Sequence, residues 1–546
     1  MKKTQGSTNR NTHPNAIRRQ VKASPARPRY ENELIETDFD EYDVQDRRKT
    51  IKNQYHANDN TASLGTRVFA WIFTIAFLVL TALLLYVLYR FNILPNTMRI
   101  IIAVILLVIN VIFFSMTIAG RRRGAFAKTA IALALIFSLI LGLGNYYIIR
   151  GVTTVEDMGK KGNIRTTDMA IVVLKESPLN TLNDLAEITI QAPIISDGTN
   201  ITSYLTDINK RTSIDLSDNT EDVETYLDAA GNLLDEETAA MVLNNAWLET
   251  ILDDYPTFNE RTRVIDTSNF IREVEEVVKD VDTSKTGFNV YISGIDTYGP
   301  VSTVSRSDVN IIMTMNPNTH KLLLTTIPRD TYLPIAGGGN NEYDKLTHAG
   351  IYGVESSIET LENFLETDIN YYARVNFSSL IKIVDEIGGI DVDNPVSFST
   401  DYYSFPAGTL HLNGDEALAF SRERHNLSGG DYDRGRNQEC VILAIFDKVT
   451  SPELLKNYNS ILESVSDSIQ TNMPMEAIMG IANGMIENPQ PWDTCMIDVA
   501  GTGQPGLNSY LIPGREIFMM APYPESVEAA QNSIKTVLEG GPLPEQ

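Results

Sequence analysis

Three long apolar runs near the start of the chain constrain its fold most. Residues 68–89 form the first run, which holds no charged side chain and is bracketed by Arg67 and Arg90. Similar runs follow at about 100–120 and 129–149. Each is long enough to cross a hydrocarbon layer of about 30 Å as a helix. The sequence therefore predicts three transmembrane helices in residues 67–150, and a run this far from the first residue is not a cleaved signal peptide.

The charge of the chain is divided between its two ends. The 546 residues include 45 Lys and Arg against 70 Asp and Glu, a net charge of −25. The first 150 residues contribute +11 to this balance, so residues 151–546 carry −36. Proteins that bind nucleic acid carry a basic surface, and we therefore expect no nucleic-acid partner. Two cysteines, Cys440 and Cys495, are too few for a disulfide framework, and whether they pair with each other stays open.

Basic residues next to the apolar runs predict the orientation of the chain. Lys and Arg are enriched in the cytoplasmic loops of membrane proteins. We therefore expect a multi-pass protein of the cell membrane with a cytoplasmic N-terminus and, after three spans, a large extracellular C-terminal region. The basic residues in question are Arg47, Arg48, Lys49, Lys52 and Arg67 before the first run, and Arg121, Arg122, Arg123 and Lys128 between the second and third.

Residues 1–66 are polar and predict a disordered cytoplasmic tail. The first thirty residues contain basic side chains and no acidic one, and acidic residues follow between Glu31 and Asp46. This pattern has two interpretations: a solvated tail, or a basic block attracted to anionic lipid or to a cytoplasmic partner.

Apolar runs alternate with helical patterns after the spans, which is typical of α/β domains. We predict a smaller α/β accessory domain at 151–284, either a spacer or a solute-binding lobe, and a larger domain at 285–546. In the larger domain the order of elements favours a three-layer α/β/α sandwich with a mixed central sheet. The predicted strands are 169–174, 188–191, 288–295, 309–315, 322–327 and 371–375, and the predicted helices are 222–227, 236–252, 356–365, 377–387, 413–420 and 441–449.

The arginines of this acidic region are concentrated in four short motifs. Guanidinium groups suit the bidentate binding of phosphate oxygens. A single arginine would be explained as a surface ion pair, but four motifs in one domain predict an anion-binding pocket. The motifs are SRSD at 305–308, IPRD at 327–330, SRERH at 421–425 and DYDRGRNQ at 431–438.

Two carboxylates, Asp296 and Asp308, accompany these motifs at predicted strand ends. Mg²⁺ is commonly held by one or two carboxylates together with substrate phosphates. Acid, metal and guanidinium together are what phosphoryl transfer requires. His348 and His425 would either line this site or have structural roles, and no nucleotide-binding loop or nucleophile elbow is present.

Eight ordered motifs between about 290 and 450 closely resemble those of the LytR-CpsA-Psr family of Gram-positive cell-wall enzymes. The three spans and the accessory unit resemble the capsule-linked CpsA branch of that family. The motifs are GID at 294–296, RSD at 306–308, IPRDT at 327–331, KLTH at 345–348, VDEIGGID at 384–391, LNGDEALA at 412–419, SRER at 421–424 and DRGRNQ at 433–438.

The resemblance implies an Mg²⁺-dependent phosphotransferase. Such an enzyme moves an anionic glycopolymer, capsular polysaccharide or teichoic acid, from a polyprenyl-pyrophosphate carrier to peptidoglycan and forms a phosphodiester. It further implies a lipid pocket walled by helices 377–387 and 441–449, and as further partners membrane lipid and capsule or wall assembly proteins. The implied metal ligands are Asp296 and Asp308, and the implied catalytic and substrate-binding residues are Arg306, Arg329, Arg422, Arg424, Arg434 and Gln438.

Two other functions remain open from the sequence. A polyprenyl-pyrophosphate hydrolase would use water in place of the sugar hydroxyl, and a non-catalytic membrane sensor or regulator of cell-wall synthesis would bind the lipid without turnover. The general base is not identified, and Asp330 and Asp431 are its candidates.

Overall fold

A computed structural model describes residues 61–274, 278–297, 300–451 and 463–545 of the chain. Of the tail predicted at 1–66, residues 1–60 lie outside the described residues.

Within the described residues, three helices are long and apolar enough to cross a membrane, so the protein is membrane-anchored. The rings of Phe77, Phe113 and Phe137, one from each helix, pack edge to face with centroids 5.0–6.3 Å apart. Across the first two helices, Nδ2 of Asn110 donates to Oγ1 of Thr81 at 3.1 Å. The helices are α1 (Leu64–Arg90), α2 (Asn96–Ala119) and α3 (Gly124–Gly162).

Helix α3 continues past the predicted span and ends against residues 372 and 470–471 of the larger domain. Oη of Tyr372 donates to the carbonyl oxygen of Gly162 at 2.7 Å, and Nε2 of Gln470 donates to that of Lys161 at 3.0 Å. A Cβ atom on Gly162 would lie 2.3 Å from the carbonyl oxygen of Thr471. The close approach of two backbones therefore requires glycine at this position.

The accessory domain is built on a mixed sheet. In the described part of the chain, five strands pair in the order β3-β2-β4-β1-β5, with β1 antiparallel to both its neighbours and β2 parallel to both of its own. The elements are β1 (Ile164–Leu174), β2 (Ile190–Ala192), α4 (Ile194–Thr212), β3 (Thr220–Asp222), α5 (Tyr226–Leu234), β4 (Ala240–Asn244), α6 (Leu248–Asp254), α7 (Phe258–Arg261) and β5 (Thr262–Glu273).

The prediction of a helix at 236–252 is wrong. Its middle forms strand β4, all of whose residues are buried, and only its end belongs to helix α6. A strand buried on both faces is a short continuous apolar run, which periodicity alone does not distinguish from a helix.

The larger domain follows from residue 288 onward. Its first part contains β6 (Phe288–Ile295), β7 (Ser307–Asn316), β8 (Lys321–Thr326), β9 (Tyr332–Ile335), β10 (Glu342–Lys345), α8 (Leu346–Ala349), α9 (Val354–Leu365), β11 (Tyr371–Asn376) and α10 (Phe377–Glu386). Its second part contains β12 (Ile390–Asn394), β13 (Phe398–Ser399), β14 (Ser404–Phe405), β15 (Gly408–Leu412), α11 (Gly414–Arg422), α12 (Asp431–Val449), β16 (Gln470–Thr471), α13 (Met475–Glu487), β17 (Asp493–Asp498), β18 (Gly501–Gly503), β19 (Met520–Pro522) and α14 (Pro524–Leu538).

The larger domain is the predicted three-layer α/β/α sandwich. Six strands of the described residues pair in the order β16-β11-β6-β7-β8-β17, in both parallel and antiparallel directions. Helices α9 and α14 cover one face around Leu323, and α12 and α13 cover the other around Leu324. Asn413 caps α11, as its position predicts, by accepting from the backbone N–H of Glu416 at 3.0 Å.

Strand direction determines which residues meet at the edge of this sheet. Strands β6 and β8 are both antiparallel to β7, which lies between them. The ends of β6 and β8 therefore lie at the same edge as the start of β7. Asp296 follows β6, Asp308 lies at the start of β7, and Arg329 follows β8. Residues from three separate motifs thus converge on one edge.

The junction at the end of α3 generates a prediction on stability. We expect Gly162→Ala to lower the midpoint of thermal unfolding, because an added methyl group in a packed contact costs about 1–3 kcal/mol. The matched control is Gly159→Ala on the same helix, where a Cβ atom has nothing within 4 Å. This control should be neutral or stabilising, and equal midpoints for the two purified variants would contradict the close contact.

Candidate active site

A cavity of about 520 Å³ opens at this edge of the sheet, between strands β6 and β11 and helices α10, α11 and α12. All eight site residues predicted from the sequence line it. They are Asp296, Arg306, Asp308, Arg329, Arg422, Arg424, Arg434 and Gln438.

Two local features of the backbone aim these side chains. The pairing of β6 with β7 passes from Gly294 opposite Val309 to Ile295 opposite Ser307, so Asp308 is the extra residue of a β-bulge. Bulges of this kind redirect a side chain beside active sites. Helix α12 begins ten residues before the predicted start at 441, which places Arg434 and Gln438 one turn apart on one helical face.

Asp308 is held by hydrogen bonds to both of its carboxylate oxygens. Nη1 of Arg329 donates to Oδ2 at 2.8 Å, and Oγ1 of Thr347 donates to Oδ1 at 2.9 Å. Burial alone would raise the pKa of Asp308, but the positive charges of Arg329 and Arg306 outweigh it and lower this pKa. Asp308 is therefore an anion at neutral pH.

Asp296 lies in a different environment. Burial and then the negative charge of Asp308 raise its pKa, while the arginines oppose this shift. Its Oδ2 lies 3.6 Å from Nη2 of Arg422, whose guanidinium group stacks 4.0 Å from the ring centroid of Phe377. The aromatic ring thus helps to hold one of the arginines at the cavity.

The carboxylates Asp296 and Asp308 suit a hard divalent cation. Burial and then the negative charge of Asp308 raise the pKa of Asp296, and a positive ion near the two carboxylates would relieve the repulsion between them. In the described part of the chain, no group of three or more acidic, His or Cys residues could hold a metal by itself. The remaining ligands of Mg²⁺ would be phosphate oxygens and water, which is its usual arrangement at phosphoryl-transfer sites.

The accessory domain also contributes to the cavity, which the sequence did not predict. Glu249 and Asp253 of α6 are part of its lining. Oδ2 of Asp253 accepts from Nη1 of Arg306 at 2.6 Å. Burial and then the charge of Asp296 raise the pKa of Glu249. No local pattern distinguishes these acids from those of an ordinary exposed helix.

The other candidates lie in different places. His425 lines the cavity, whereas His348 is buried elsewhere, with Nδ1 2.7 Å from Oδ1 of Asp344. Asp330 contacts Nζ of Lys345 at 3.0 Å and is not among the lining residues. The side chain of Asp431 lies outside the described residues. Both Cys440 and Cys495 are buried free thiols in this structure.

Much of the remaining lining of the cavity is apolar. The helices predicted as walls from the sequence, α10 and α12, both contribute to it. The apolar lining residues are Ile292, Val309, Ala373, Val375, Phe377, Leu380, Ile383, Leu418, Val441, Ile442, Ile445 and Ile469. Along α12 the lining changes from Arg434 and Gln438 to Val441, Ile442 and Ile445, so the cavity has a cationic end near the start of this helix and an apolar end farther along it. This arrangement suits an amphiphile with an anionic head.

The family model described as LytR_cpsA_psr matches residues 257–522. A relative from Enterococcus faecalis, named polyisoprenyl-teichoic acid–peptidoglycan teichoic acid transferase TagU, is 40% identical over 202 residues, which are 36% of this chain and 66% of the relative. A relative of the same name from Bacillus anthracis is 36% identical over 219 residues, 38% of this chain and 71% of the relative. The crystal structure of B. subtilis TagU is 30% identical with a TM-score of 0.38, over 48% of this chain and 100% of that one.

A second family model, described as DNA polymerase processivity factor, matches residues 125–243. This match combines the third membrane helix with part of the accessory domain, and it leaves out strand β5, which pairs with β1 in the same sheet. The motifs and the 36% identity over 71% of the Bacillus anthracis relative define a membrane-anchored protein of a cell-wall transferase family. The chain belongs to the LytR-CpsA-Psr family.

A buried carboxyl group, that of Glu439, follows the cavity-lining residue Gln438 and interacts with the more exposed carboxyl group of Asp498. Oε1 of Glu439 accepts from Oγ1 of Thr326 at 2.8 Å. Burial, reinforced by the charge of Asp498, raises the pKa of Glu439 to about 9. Burial likewise raises the pKa of Asp498 to about 6, against the opposing charge of Arg436. At neutral pH, Glu439 is therefore protonated.

This pair predicts a pH dependence of stability. Because the pKa of Glu439 rises from 4.5 to about 9 on folding, the free energy of unfolding falls as pH increases through that window. Glu439→Gln removes this dependence. We expect its unfolding midpoint to match the wild type near pH 5 and to exceed it at pH 8 to 9. The exposed Glu386→Gln is the control, and parallel curves for wild type and Glu439→Gln would refute the shift.

Proposed function

We propose that the protein transfers an anionic glycopolymer, teichoic acid or capsular polysaccharide, from a polyprenyl-diphosphate carrier to peptidoglycan. The observation that carries this proposal is one cavity whose lining combines five arginines and three aspartates with many apolar side chains. The names of the relatives, which state a polyisoprenyl-linked teichoic acid donor and a peptidoglycan acceptor, support the same reaction.

The cationic end of the cavity would bind the diphosphate. Guanidinium groups donate paired hydrogen bonds to phosphate oxygens and neutralise the charge that spreads over them during transfer. A hydroxyl group of the acceptor attacks the phosphorus atom next to the glycopolymer. The new P–O bond forms the phosphodiester, the bond to the bridging oxygen breaks, and polyprenyl phosphate leaves. The hydroxyl proton passes to a base, and no nucleotide is consumed.

The apolar end of the cavity would hold the start of the polyprenyl tail. Ile469, which lines the cavity, lies in a segment that is attached to α3 on both sides. Before it, Glu463 and Asp467 form ion pairs with Arg150 and Lys161, and after it Gln470 bonds to the end of the same helix. A tail that leaves the bilayer beside α3 would therefore reach the cavity directly.

The proposed topology places the N-terminus in the cytoplasm and both outer domains outside the cell. The basic residues around the first two spans support this orientation. Peptidoglycan lies on the outer side of the membrane, so the acceptor would be accessible to the larger domain in this orientation alone.

Mg²⁺ is the proposed cofactor, held by Asp296 and Asp308. When bound, it would neutralise charge on the diphosphate and so stabilise the leaving phosphate. The chain itself supplies the two carboxylates and the arginines that orient the remaining oxygens.

Transfer should depend on individual arginines of the cavity. We expect Arg329→Ala and Arg434→Ala each to reduce polymer attachment about 100-fold or more, as the loss of one charge-stabilising donor does elsewhere. The measurement is the covalent attachment of polymer to peptidoglycan fragments by the full-length protein in membranes. The matched control is Arg272→Ala on β5, whose guanidinium group donates to Asn200 away from the cavity.

Full activity in both variants would contradict the proposal. The same assay separates the alternatives, because a hydrolase releases phosphorylated polymer without attaching it to the acceptor. A sensor would lose its cellular effect when residues 1–60 are deleted, whereas transfer should persist.

Removal of divalent cations should abolish transfer. We expect EDTA to lower the rate more than tenfold and added Mg²⁺ to restore it, because two carboxylates otherwise repel the incoming diphosphate. Asp296→Asn should weaken Mg²⁺ binding measured by titration calorimetry. Unchanged transfer in EDTA would exclude the cation from the reaction.

A further inference from the structure

Helix α6 of the accessory domain reaches the cavity of the larger domain. Glu249 and Asp253 are four residues apart, so they lie on one face of this helix, and both line the cavity. Ile251, on the opposite side, is fully buried. Helix α6 precedes residue 257, where the match to the family model begins. These two acids therefore lie outside the part of the chain that the family model matches.

Packing fixes α6 to the larger domain. Ile251 belongs to one buried cluster with Ile351, Leu511 and Ile512 of the larger domain. Asp254, which follows the cavity-lining Asp253, forms an ion pair with Arg515 of the larger domain. The buried packing of Ile251 holds the helix in a set position relative to the sheet edge, whereas the partly exposed ion pair contributes only to stability.

The segment that carries Arg306 is also held by the accessory domain. The backbone N–H of Thr166 in β1 donates to the carbonyl oxygen of Ser302 at 2.9 Å, and the N–H of Val304 donates to that of Thr166 at 2.9 Å. The two hydroxyl groups of Thr166 and Ser302 add a contact of 2.8 Å. Backbone pairing thus continues to two residues before Arg306.

Arg306 itself is 5% exposed, and among the described residues its side chain hydrogen-bonds to Asp253 alone. Its Nε atom is buried without a hydrogen bond in the described part of the chain. A guanidinium group offers donors on more than one edge. With Nη1 bonded to Asp253, the other donors of Arg306 have no acceptor within the residues that the structure describes.

From this geometry we propose that Asp253 is a positioning residue of the active site. It fixes the guanidinium group of Arg306 so that its remaining donors meet an oxygen of the substrate diphosphate. The accessory domain is then a part of the catalytic site rather than a spacer. This inference rests on the proposed function, since it names the group that orients one arginine of the same reaction.

Removal of Asp253 should change KM and kcat in different ways, and this difference distinguishes a positioning role from a purely structural one. The loss of a negative charge beside the site strengthens attraction of the diphosphate, so KM does not rise. The loss of the fixed partner frees a long side chain to leave the geometry in which it stabilises the transition state, so kcat falls. A purely structural residue would change the amount of folded protein and neither constant.

The test measures kcat and KM for polymer transfer by the full-length protein in lipid nanodiscs, with a synthetic polyprenyl-diphosphate donor, peptidoglycan fragments and Mg²⁺. We expect Asp253→Ala to lower kcat about tenfold, or about 1.4 kcal/mol in activation free energy, with KM unchanged or lower. Asp253→Asn keeps an acceptor for Nη1 and should lose less. Asp253→Glu restores the carboxylate and should recover most of kcat.

The matched control is Asp254→Ala, which removes the neighbouring carboxylate of the same helix. Asp254 pairs with Arg515 and does not line the cavity. We expect this variant to lower the unfolding midpoint and to leave kcat per folded molecule within about twofold of the wild type, a change below about 0.5 kcal/mol.

Each outcome bears on a separate statement. An inactive wild type refutes the proposed function. An active wild type together with an unchanged kcat in Asp253→Ala refutes the positioning role alone. Equal losses of kcat in Asp253→Ala and Asp254→Ala, or a loss in Asp253→Ala expressed as a higher KM, likewise refute it. If Asp253→Ala fails to fold, the separate changes of kcat and KM in Asp253→Asn decide whether Asp253 has the positioning role.

Discussion

The antiparallel pairing of β7 with β6 and β8 is the constraint on which the site depends. It brings residues from three motifs to one edge, and the bulge at Asp308 turns that carboxylate toward the cavity. Without this pairing, Arg306 and Arg329 would be ordinary surface charges that contribute little to stability or binding. The topology of the sheet therefore brings arginines that are distant in sequence close together, where their positive charges act on one site.

Concentrating five arginines has an electrostatic cost that the domain offsets with carboxylates. Asp308 is bonded to Arg329, and Asp253 is bonded to Arg306. Buried charges are stable when they are paired and hydrogen-bonded. The contacts that stabilise these two arginines in the cavity therefore also fix the orientation of their guanidinium groups.

The sequence predicted the central strands well and identified eight residues that the structure brings to one cavity, because both have local signals. Strand β6 has the predicted bounds, and Asp296 follows it as expected. The first turns of α12 were missed because their polar residues face the cavity and interrupt the apolar pattern. Glu249 and Asp253 were missed because their importance arises from packing between two domains, which no local pattern records.

The position of the cavity relative to the membrane is determined by the contact between helix α3 and the central sheet. A flexible linker would let the larger domain sample many heights above the bilayer, but α3 continues without interruption to Gly162 and is bonded there to Tyr372 of β11. Strand β11 itself lines the cavity through Ala373 and Val375. The distance between the anchor and the cavity is therefore determined by hydrogen-bonded structure. For a substrate whose tail remains in the bilayer, this fixed distance restricts which part of the substrate can contact the arginines. It favours binding of the substrate's headgroup, which lies nearest the membrane surface.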